Sequence, residues 1–218
     1  DLIDLGVIAE LRTITEDPDG ITIGAMARHA EVAANPAVLR VIPALAHLAE
    51  GIGDRQVRNR GTLGGSICNN DPSADYPAAL VGLGATVRTS KREIAAEDFF
   101  TGMFETALEP DEIVTAVRFP KADRAAYAKF PNPASRYAMV GVFVARSGTG
   151  IRVAVTGAGP SVFRLPDMEA ALARSFTPAA LDGIAVDADG LNGDLHASPD
   201  YRAHLVGVMA RRAVAARG

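Results

Sequence analysis

The sequence predicts an α+β fold, and three observations support this class. Strong turn residues at 17–20 separate two short alternating segments, which is typical of paired strands. Apolar residues recur at helical spacing between Pro36 and Ala49. From residue 127 onward, alternating runs come first and helical runs follow, and this order is typical of sheets and helices in separate layers.

In the first half, alternation and helical spacing predict the order of the elements. Asn35 is the predicted N-cap of the helix at 36–49, with Pro36 at its first position. The core-facing residues of this helix are predicted to be Val38, Leu39, Ile42, Leu45 and Leu48. Strands are predicted at 11–16, 21–24, 85–89, 92–95 and 112–119, and further helices at 25–31 and 75–83.

The second half is predicted to be a sheet of long strands followed by helices. The last helix has an apolar stripe, and we expect its Arg202, Arg211 and Arg212 to point outward. Strands are predicted at 127–130, 136–146 and 151–158, and helices at 165–174, 178–184 and 201–216.

Composition limits the possible functions. The 218 residues suit one large or two small domains, and 48% hydrophobic residues can build a substantial core. A net charge of −4 argues against nucleic acid as the main partner. No apolar run approaches the roughly 18 residues of a membrane span, and no signal peptide is recognisable, so we expect a cytoplasmic protein. The single Cys68 excludes an intrachain disulfide, and four scattered histidines predict no metal site.

The segment 51–77 is the most informative part of the sequence, and its centre is the pentapeptide TLGGS at 62–66. Gly64 and Gly65 allow a tight turn and a close approach to a ligand, and Thr62 and Ser66 add hydroxyl donors. Successive unpaired backbone N–H groups in such a turn would suit a phosphate. A glycine pair by itself is more often only a turn. The upstream Arg55, Arg58 and Arg60 make the local field positive.

The segment RNRGTLGGS at 58–66, followed nine residues after Ser66 by Asp75 of ADYPAAL, resembles the second FAD-binding motif of the molybdenum hydroxylase flavoproteins. That family includes the carbon monoxide dehydrogenase medium subunit and the xanthine dehydrogenase FAD domain. The resemblance covers the whole chain, including VAVTGA at 153–158. It implies a FAD-binding domain of the vanillyl-alcohol-oxidase-like (PCMH) type at 1–119, with a short helix at 96–100 and a loop at 101–110. It further implies an α+β domain similar to the carbon monoxide dehydrogenase flavoprotein C-terminal domain at 120–218, with an antiparallel sheet and helices.

The resemblance also implies roles for individual residues. Asp75 would accept hydrogen bonds from FAD hydroxyls, although it is also a candidate N-cap for a helix beginning at Tyr76. The FAD pyrophosphate would be held by Thr62, Leu63, Gly64, Gly65 and Ser66. None of these residues needs to act as an acid or base, so no catalytic residue is predicted.

The remaining implied contacts concern the two ring systems of FAD. Ile52 and Val114 would flank the adenine, or simply pack in the core. Lys129 would reach the flavin, or be a solvated strand residue. Tyr137 would lie near the isoalloxazine ring. Many relatives carry an acidic residue where this sequence has Ser135 or Arg136.

The family's first FAD motif is a glycine-rich AGG loop in an N-terminal subdomain, and residues 1–218 contain no match to it. We therefore expect the chain to be a fragment, in which residues 1–5 are the end of a strand.

The function implied by the resemblance is that of a FAD-binding electron-transfer subunit. Its partners would be a molybdopterin-binding large subunit and a small subunit with iron–sulfur clusters, arranged as a dimer of heterotrimers. Electrons would pass from the clusters through FAD to an acceptor. Two alternatives stay open, a stand-alone flavoprotein oxidase or reductase and a non-catalytic assembly module that has lost FAD.

Overall fold

Two antiparallel sheets with helices packed against them make up the fold, in a computed structural model that describes residues 3–216. This arrangement confirms the predicted α+β class. In chain order the strands are β1 (Ile14–Asp17), β2 (Gly20–Gly24), β3 (Thr86–Thr89), β4 (Glu93–Ala95), β5 (Phe100–Gly102), β6 (Glu105–Thr106), β7 (Val114–Pro120), β8 (Arg124–Pro131), β9 (Ala138–Ser147), β10 (Gly150–Thr156) and β11 (Phe163–Arg164).

The helices lie mainly between β2 and β4 and after β11. They are α1 (His29–Ala34), α2 (Pro36–Val41), α3 (Pro43–Glu50), α4 (Arg55–Arg60), α5 (Leu63–Asn69), α6 (Tyr76–Leu83), α7 (Ala96–Phe99), α8 (Pro166–Arg174) and α9 (Pro199–Ala215). Short 3-10 helices occur at Leu5–Val7, Ala9–Arg12 and Pro178–Leu181.

The larger sheet has the strand order β1-β2-β7-β3-β4, and the second sheet has the order β11-β10-β9-β8. The side chains of the second sheet alternate between two hydrophobic cores. Tyr127 and Phe143 pack into the core of the first half, whereas Val142 and Val144 pack against helices of the second half. Helix α6, buried along its whole length, lies against β9 and β10 on the first of these faces. The two halves of the chain are therefore joined through a packed interface.

The predicted helix at 36–49 is two helices, because the chain breaks at Ile42 (φ −142°, ψ 72°) just before Pro43. Proline has no N–H and disfavours helical geometry in the residue before it. The predicted cap is correct, since the Asn35 side chain accepts hydrogen bonds from the N–H groups of Ala37 and Val38. Leu39 was wrongly predicted to face the core, and it is 50% exposed.

Other element boundaries differ from the prediction for local reasons. The helix predicted to start at residue 25 starts at His29, because the backbone of Arg28 is extended (φ −73°, ψ 152°). The N–H groups of Ala25 and Met26 bond to the carbonyls of Thr115 and Leu11. The helices α4 and α5 were not predicted at all. Of the predicted strand end at 1–5, residues 1 and 2 lie outside the described part, and Leu5 begins a 3-10 helix.

The segment 101–110 was expected to be a loop, but it contains a small hairpin of β5 and β6. Phe104 is at its tip with φ 57° and a largely exposed side chain. The short helix expected before it is present as α7.

Arg202 in α9 corrects a second expectation, because it is buried and does not point outward. Its guanidinium donates to the carbonyls of Met139 (2.6 Å) and Gly157 (2.9 Å) and to the Asp194 carboxylate (2.7 Å). These partners lie on the second sheet and on the loop before α9, so this arginine ties the helix to both.

Candidate functional site

The pentapeptide at 62–66 forms the beginning of helix α5, and the predicted tight turn is not present. Thr62 is the N-cap, and its Oγ1 accepts a hydrogen bond from the Gly65 N–H (3.1 Å). A helix N-terminus carries partial positive charge, which favours anions. The chemistry predicted for this segment is therefore supported by a different geometry.

The expected concavity of unpaired N–H groups is not what the structure shows. The N–H of Leu63 donates to the Ala27 carbonyl (3.0 Å), and that of Gly64 donates to the Ala25 carbonyl (2.7 Å). Leu63 is also fully buried. These two residues therefore attach α5 to the chain that follows β2, and they do not offer donors to a ligand. The N–H groups of Gly65 and Ser66 donate to Thr62, so the hydroxyls of Thr62 and Ser66 are the polar groups that this segment offers on the side of Tyr137.

The two adjacent glycines differ in what surrounds them. A Cβ on Gly64 would lie 2.7 Å from the Ala25 Cβ and 2.8 Å from the Ala25 carbonyl oxygen, so glycine is needed there for packing. Gly65 is exposed. Apart from its chain neighbours and its own helix backbone, the described residues place one atom within 4 Å of a Cβ there, the Thr62 Oγ1 at 2.9 Å. Only Gly65 presents bare backbone to an approaching ligand.

Two clefts meet at this helix N-terminus. The first, the Tyr137 cleft, has a volume of about 470 Å³ and is lined by Ile52, Thr62, Gly65, Ser66, Asp75 and Tyr137, among others. The second, the Val114 cleft, has a volume of about 490 Å³ and is lined by Thr62, Gly64, Gly65, Leu108, Ile113 and Val114, among others. Both volumes are typical of small-molecule sites. Because Thr62 and Gly65 line both clefts, an extended ligand could cross the α5 N-terminus from one to the other.

Ile52 and Val114, expected to flank the same adenine ring, are both almost fully buried but line different clefts. Ile52 instead shares its cleft with Tyr137. The two side chains therefore line separate clefts on either side of the α5 N-terminus.

Asp75 is the centre of a buried network at the floor of the Tyr137 cleft. Its carboxylate accepts a hydrogen bond from the Tyr127 hydroxyl (2.5 Å) and forms an ion pair with the Lys129 ammonium group (2.9 Å). The same ammonium group donates to the Gly51 carbonyl (2.8 Å), next to Ile52. Asp75 occupies the N-cap position of α6, as the alternative predicted, but its side chain makes no capping hydrogen bond. Lys129 is largely buried by this pairing, so the solvated alternative is wrong.

The environment of Asp75 shifts the pKa of its carboxyl group in two opposite directions. Burial raises the pKa of the carboxyl group, while the Lys129 charge and the hydrogen bonds from Tyr127 and Lys129 lower it. The net result is a pKa above the ordinary value, with Lys129 as the main counter-charge. The hydrogen-bonding capacity of this carboxylate toward a ligand therefore depends on Lys129.

Tyr137 is on the rim of its cleft and is 46% exposed. Hydrogen bonds close the preceding loop, since Asn132 accepts from the N–H groups of Ala134 and Ser135 and donates its own N–H to the Tyr137 carbonyl. Arg136 takes a left-handed conformation (φ 63°) in this loop. The aromatic ring is thus presented at a fixed position beside the cleft.

Sequence reasoning missed several residues that shape the site. Tyr127 and Met26 gave no signal because each is an ordinary member of an apolar segment. Arg58, expected only to set the local field, donates to the carbonyls of Ile52 (3.0 Å) and Gly53 (3.1 Å) and so fixes the chain at the cleft wall. His29, one of the four histidines for which no metal site was predicted, is buried in the same wall.

Two features are absent from residues 3–216. None of the helices there combines the length and apolarity needed to cross a bilayer. In the same residues, no cluster of three or more His, Cys, Asp and Glu side chains is arranged to hold a metal ion.

Comparison with known proteins identifies the family. Residues 1–122 match the model of the FAD binding domain in molybdopterin dehydrogenase. The chain is 33% identical over 231 residues to the nicotine 6-hydroxylase medium subunit of Paenarthrobacter nicotinovorans, covering 100% of this chain and 82% of that protein. It is 32% identical over 229 residues to the carbon monoxide dehydrogenase medium chain of Hydrogenophaga pseudoflava, covering 98% of this chain and 80% of that protein.

A solved structure extends the match to the fold. It is a carbon monoxide dehydrogenase from Hydrogenophaga pseudoflava that lacks the Mo-pyranopterin moiety of its molybdenum cofactor. The TM-score is 0.83 at 33% identity, and the match covers 95% of this chain and 78% of that one. The chain therefore belongs to the family of FAD binding domains in molybdopterin dehydrogenases, which confirms the predicted family, its FAD cofactor and its oxidoreductase class.

Proposed function

We propose that this chain is the FAD-binding electron-transfer subunit of a molybdopterin-dependent hydroxylase or dehydrogenase. Electrons would arrive from iron–sulfur clusters of a small partner subunit and leave to an acceptor, with the molybdopterin on a large partner subunit. The observation that carries the proposal is the pair of clefts meeting at the α5 N-terminus. Relatives named as medium subunits or medium chains support the assembly. A dimer of heterotrimers and a cytoplasmic location stay predictions.

The residues that line the two clefts fit a dinucleotide that spans both. At the junction, the hydroxyls of Thr62 and Ser66 and the bare backbone of Gly65 suit the pyrophosphate. A Cβ at Gly65 would occupy this space. We assign Leu63 and Gly64 an indirect role, because their N–H groups fix α5 in place.

The two ends of FAD would then lie in different clefts. The apolar Val114 cleft suits the adenine, and the Tyr137 cleft suits the flavin half, with Tyr137 at the rim beside the ring. Because Ile52 lines the Tyr137 cleft, we assign it to the flavin half and not to the adenine. Asp75 would accept hydrogen bonds from FAD hydroxyls, and Lys129 would act through Asp75.

FAD supplies the redox chemistry when it is bound, and the protein supplies binding, orientation and electrostatics. The part of the chain described here needs no acid or base for this role. Its task is to fix the flavin ring at the Tyr137 rim and to hold the charge of Asp75 at the cleft floor, which Lys129 compensates.

The test is purification of the full-length tagged protein from its native host, followed by measurement of flavin, iron and molybdenum in the same sample. We expect FAD together with two further chains that carry iron and molybdenum, and reduction of the flavin when substrate is added. Turnover by a flavoprotein that needs no partner would favour the stand-alone oxidase or reductase. A protein without flavin would favour the assembly module.

A further inference from the structure

One buried polar side chain in the wall of the Tyr137 cleft has no role in the assignments above. His29 is the first residue of α1, and its side chain is only 4% exposed. Its Nδ1 is buried without a hydrogen-bond partner among residues 3–216. An unpaired polar atom in the interior is costly, so a contact made by the other ring nitrogen, Nε2, has to offset the cost of a histidine at this place.

The opposite edge of the imidazole lies beside Gly61, which lines the same cleft. A Cβ on Gly61 would be 2.5 Å from His29 Nε2, too close for any other residue without displacement of the ring. The backbone of Gly61 (φ −64°, ψ 146°) is one that any residue can adopt, so glycine is needed there for space. Nε2 also lacks a partner in the described residues, but unlike Nδ1 it is not sealed from the surface.

The charge state and tautomer of His29 follow from its surroundings. Burial and the nearby positive charge of Arg58 lower the pKa of His29 to about 4, so the ring is neutral at neutral pH and carries one N–H. A buried N–H without a partner is rarer in proteins than an unpaired acceptor. We therefore assign the proton to Nε2, which leaves Nδ1 as the sealed acceptor.

The neighbouring side chain offers no alternative partner. The Tyr76 ring packs against the imidazole with 5.3 Å between ring centres, but the Tyr76 hydroxyl is itself buried without a partner in the described chain. Burial also raises the pKa of this phenol, so it carries no charge at neutral pH that could pair with the ring. The cleft is the side from which a compensating partner can come.

We propose that His29 donates a hydrogen bond from Nε2 to an oxygen of FAD in the Tyr137 cleft, between Gly61 and Asp75, and so positions the cofactor. This inference rests on the proposed FAD function. The acceptor is a phosphate or a ribityl hydroxyl oxygen, since both accept hydrogen bonds and both belong to the section of FAD assigned to this cleft. His29 is a binding residue in this scheme, and no proton is transferred.

The first experiment compares two replacements of His29 in the full-length protein, stripped of flavin and titrated again with FAD. The amide nitrogen of Gln reaches the position of Nε2, whereas Phe fills the volume without a donor. We expect His29→Phe to weaken FAD binding about tenfold and His29→Gln to stay within about threefold of wild type. Gly61→Ala, which displaces the ring edge, should resemble His29→Phe.

Controls separate binding from folding. His204 is exposed on α9, and His204→Phe should leave FAD affinity unchanged. Thermal unfolding of each stripped variant shows whether a loss of affinity occurs in a folded protein. Titrations with ADP and with riboflavin 5′-phosphate identify the acceptor. A loss for both places it on the one phosphate they share, which is next to the ribityl chain, and a loss for riboflavin 5′-phosphate alone places it on the ribityl hydroxyls.

The second experiment observes the imidazole directly. In protein labelled with ¹⁵N-histidine, we expect the Nε2-protonated tautomer without FAD and a shift of the Nε2 resonance when FAD is added. An Nδ1-protonated ring, an unchanged Nε2 resonance, or wild-type affinity in His29→Phe would overturn the inference and leave FAD binding intact. Failure of the wild-type protein to bind FAD would overturn the proposed function, and this inference with it.

Discussion

Small and polar residues occur at both ends of helix α5, but their contacts differ. At its beginning, Thr62, Gly65 and Ser66 present hydroxyls and bare backbone to the clefts. After its end, Asn70 and Asp75 are almost fully buried, and their side chains bond to distant parts of the chain. The beginning of α5 is accessible to a ligand, and we call it the open end. The residues after α5 join parts of the protein to each other, and we call them the closed end.

Asn70 shows how the closed end works. It ends α5 in a left-handed conformation (φ 43°), and its side-chain amide donates to the carbonyls of Gly102 (2.7 Å) and Glu105 (2.8 Å). Its own carbonyl accepts from the Phe104 N–H (3.1 Å). The hairpin of β5 and β6 is therefore fixed to the end of α5. Small and polar residues that resemble ligand contacts in the sequence act here as internal cross-links.

The largest effect on stability is expected from Lys129→Met, which removes the ion-pair partner of Asp75 at the closed end. It leaves the Asp75 carboxylate buried without its counter-charge. Breaking a buried ion pair in this way costs about 3–5 kcal/mol of unfolding free energy. Chemical denaturation of the full-length protein measures the loss, with Lys121→Met as the control, because Lys121 is exposed and only distantly paired (3.9 Å) with Glu16.

The pH dependence of the same variant checks the cause. The pKa of Asp75 is raised in the folded protein, so its contribution to stability is present at low pH and is lost as the pH rises through the folded pKa. Without Lys129 this pKa rises further. The stability deficit of Lys129→Met should therefore be largest at neutral pH and should shrink toward the ordinary pKa of 3.8. A deficit that is the same at neutral and acidic pH would show that Asp75 is not the group responsible.

Asn70→Ala should have the next largest effect. It leaves two carbonyls without their donor and places an alanine in the left-handed region, which together cost about 2–4 kcal/mol. Asn70→Gly removes the same hydrogen bonds without the backbone strain and should recover about 1 kcal/mol. Equal stability of the two variants would mean that the conformation at Asn70 is not strained.

Part of this structure could be predicted from the sequence because local rules decide it. The α+β class follows from the order of alternating and helical runs, and the start of α2 follows from Asn35 and Pro36. The break before Pro43 could also have been predicted from the same rules, although it was missed. The phosphate-binding role of 62–66 was predicted from residue types alone, and it stays a prediction.

The contacts of the site could not be predicted in this way, because they join residues far apart in the chain. Asp75 finds Tyr127 and Lys129 more than fifty residues later (separations of 52 and 54). The N–H groups of Leu63 and Gly64 are taken by carbonyls of the segment after β2, and no pattern at 62–66 reveals this. Arg202 was predicted to point outward because charged residues usually lie on the surface. Its guanidinium is instead buried against the backbone carbonyls of Met139 and Gly157.

Gly64 and Gly65 at the open end allow a sharper comparison, with smaller expected effects on stability and FAD affinity. Gly64→Ala should destabilise the fold by about 1–3 kcal/mol, because its methyl group would overlap Ala25. Any loss of flavin in this variant should follow from unfolding. A lower melting temperature with normal FAD affinity below the transition is the expected result. Unchanged stability would show that the α5 start can move away from Ala25.

Gly65→Ala should weaken FAD binding and change stability little, which is the reverse of Gly64→Ala. It is the most direct test of the open end. Its methyl group would lie 2.9 Å from the Thr62 Oγ1 that caps α5, so that side chain must shift. The higher helix propensity of alanine offsets part of the cost, so the free energy of unfolding should change by no more than about 1 kcal/mol. The same methyl group would occupy the junction of the two clefts, where the pyrophosphate is proposed to cross. We expect FAD affinity to fall about tenfold, equivalent to about 1.4 kcal/mol. Calorimetric titration of the stripped full-length protein, with Gly64→Ala measured in parallel, separates the two effects. If Gly65→Ala binds FAD as tightly as the wild type, the cofactor does not cross α5 at this residue, and the open end lies elsewhere.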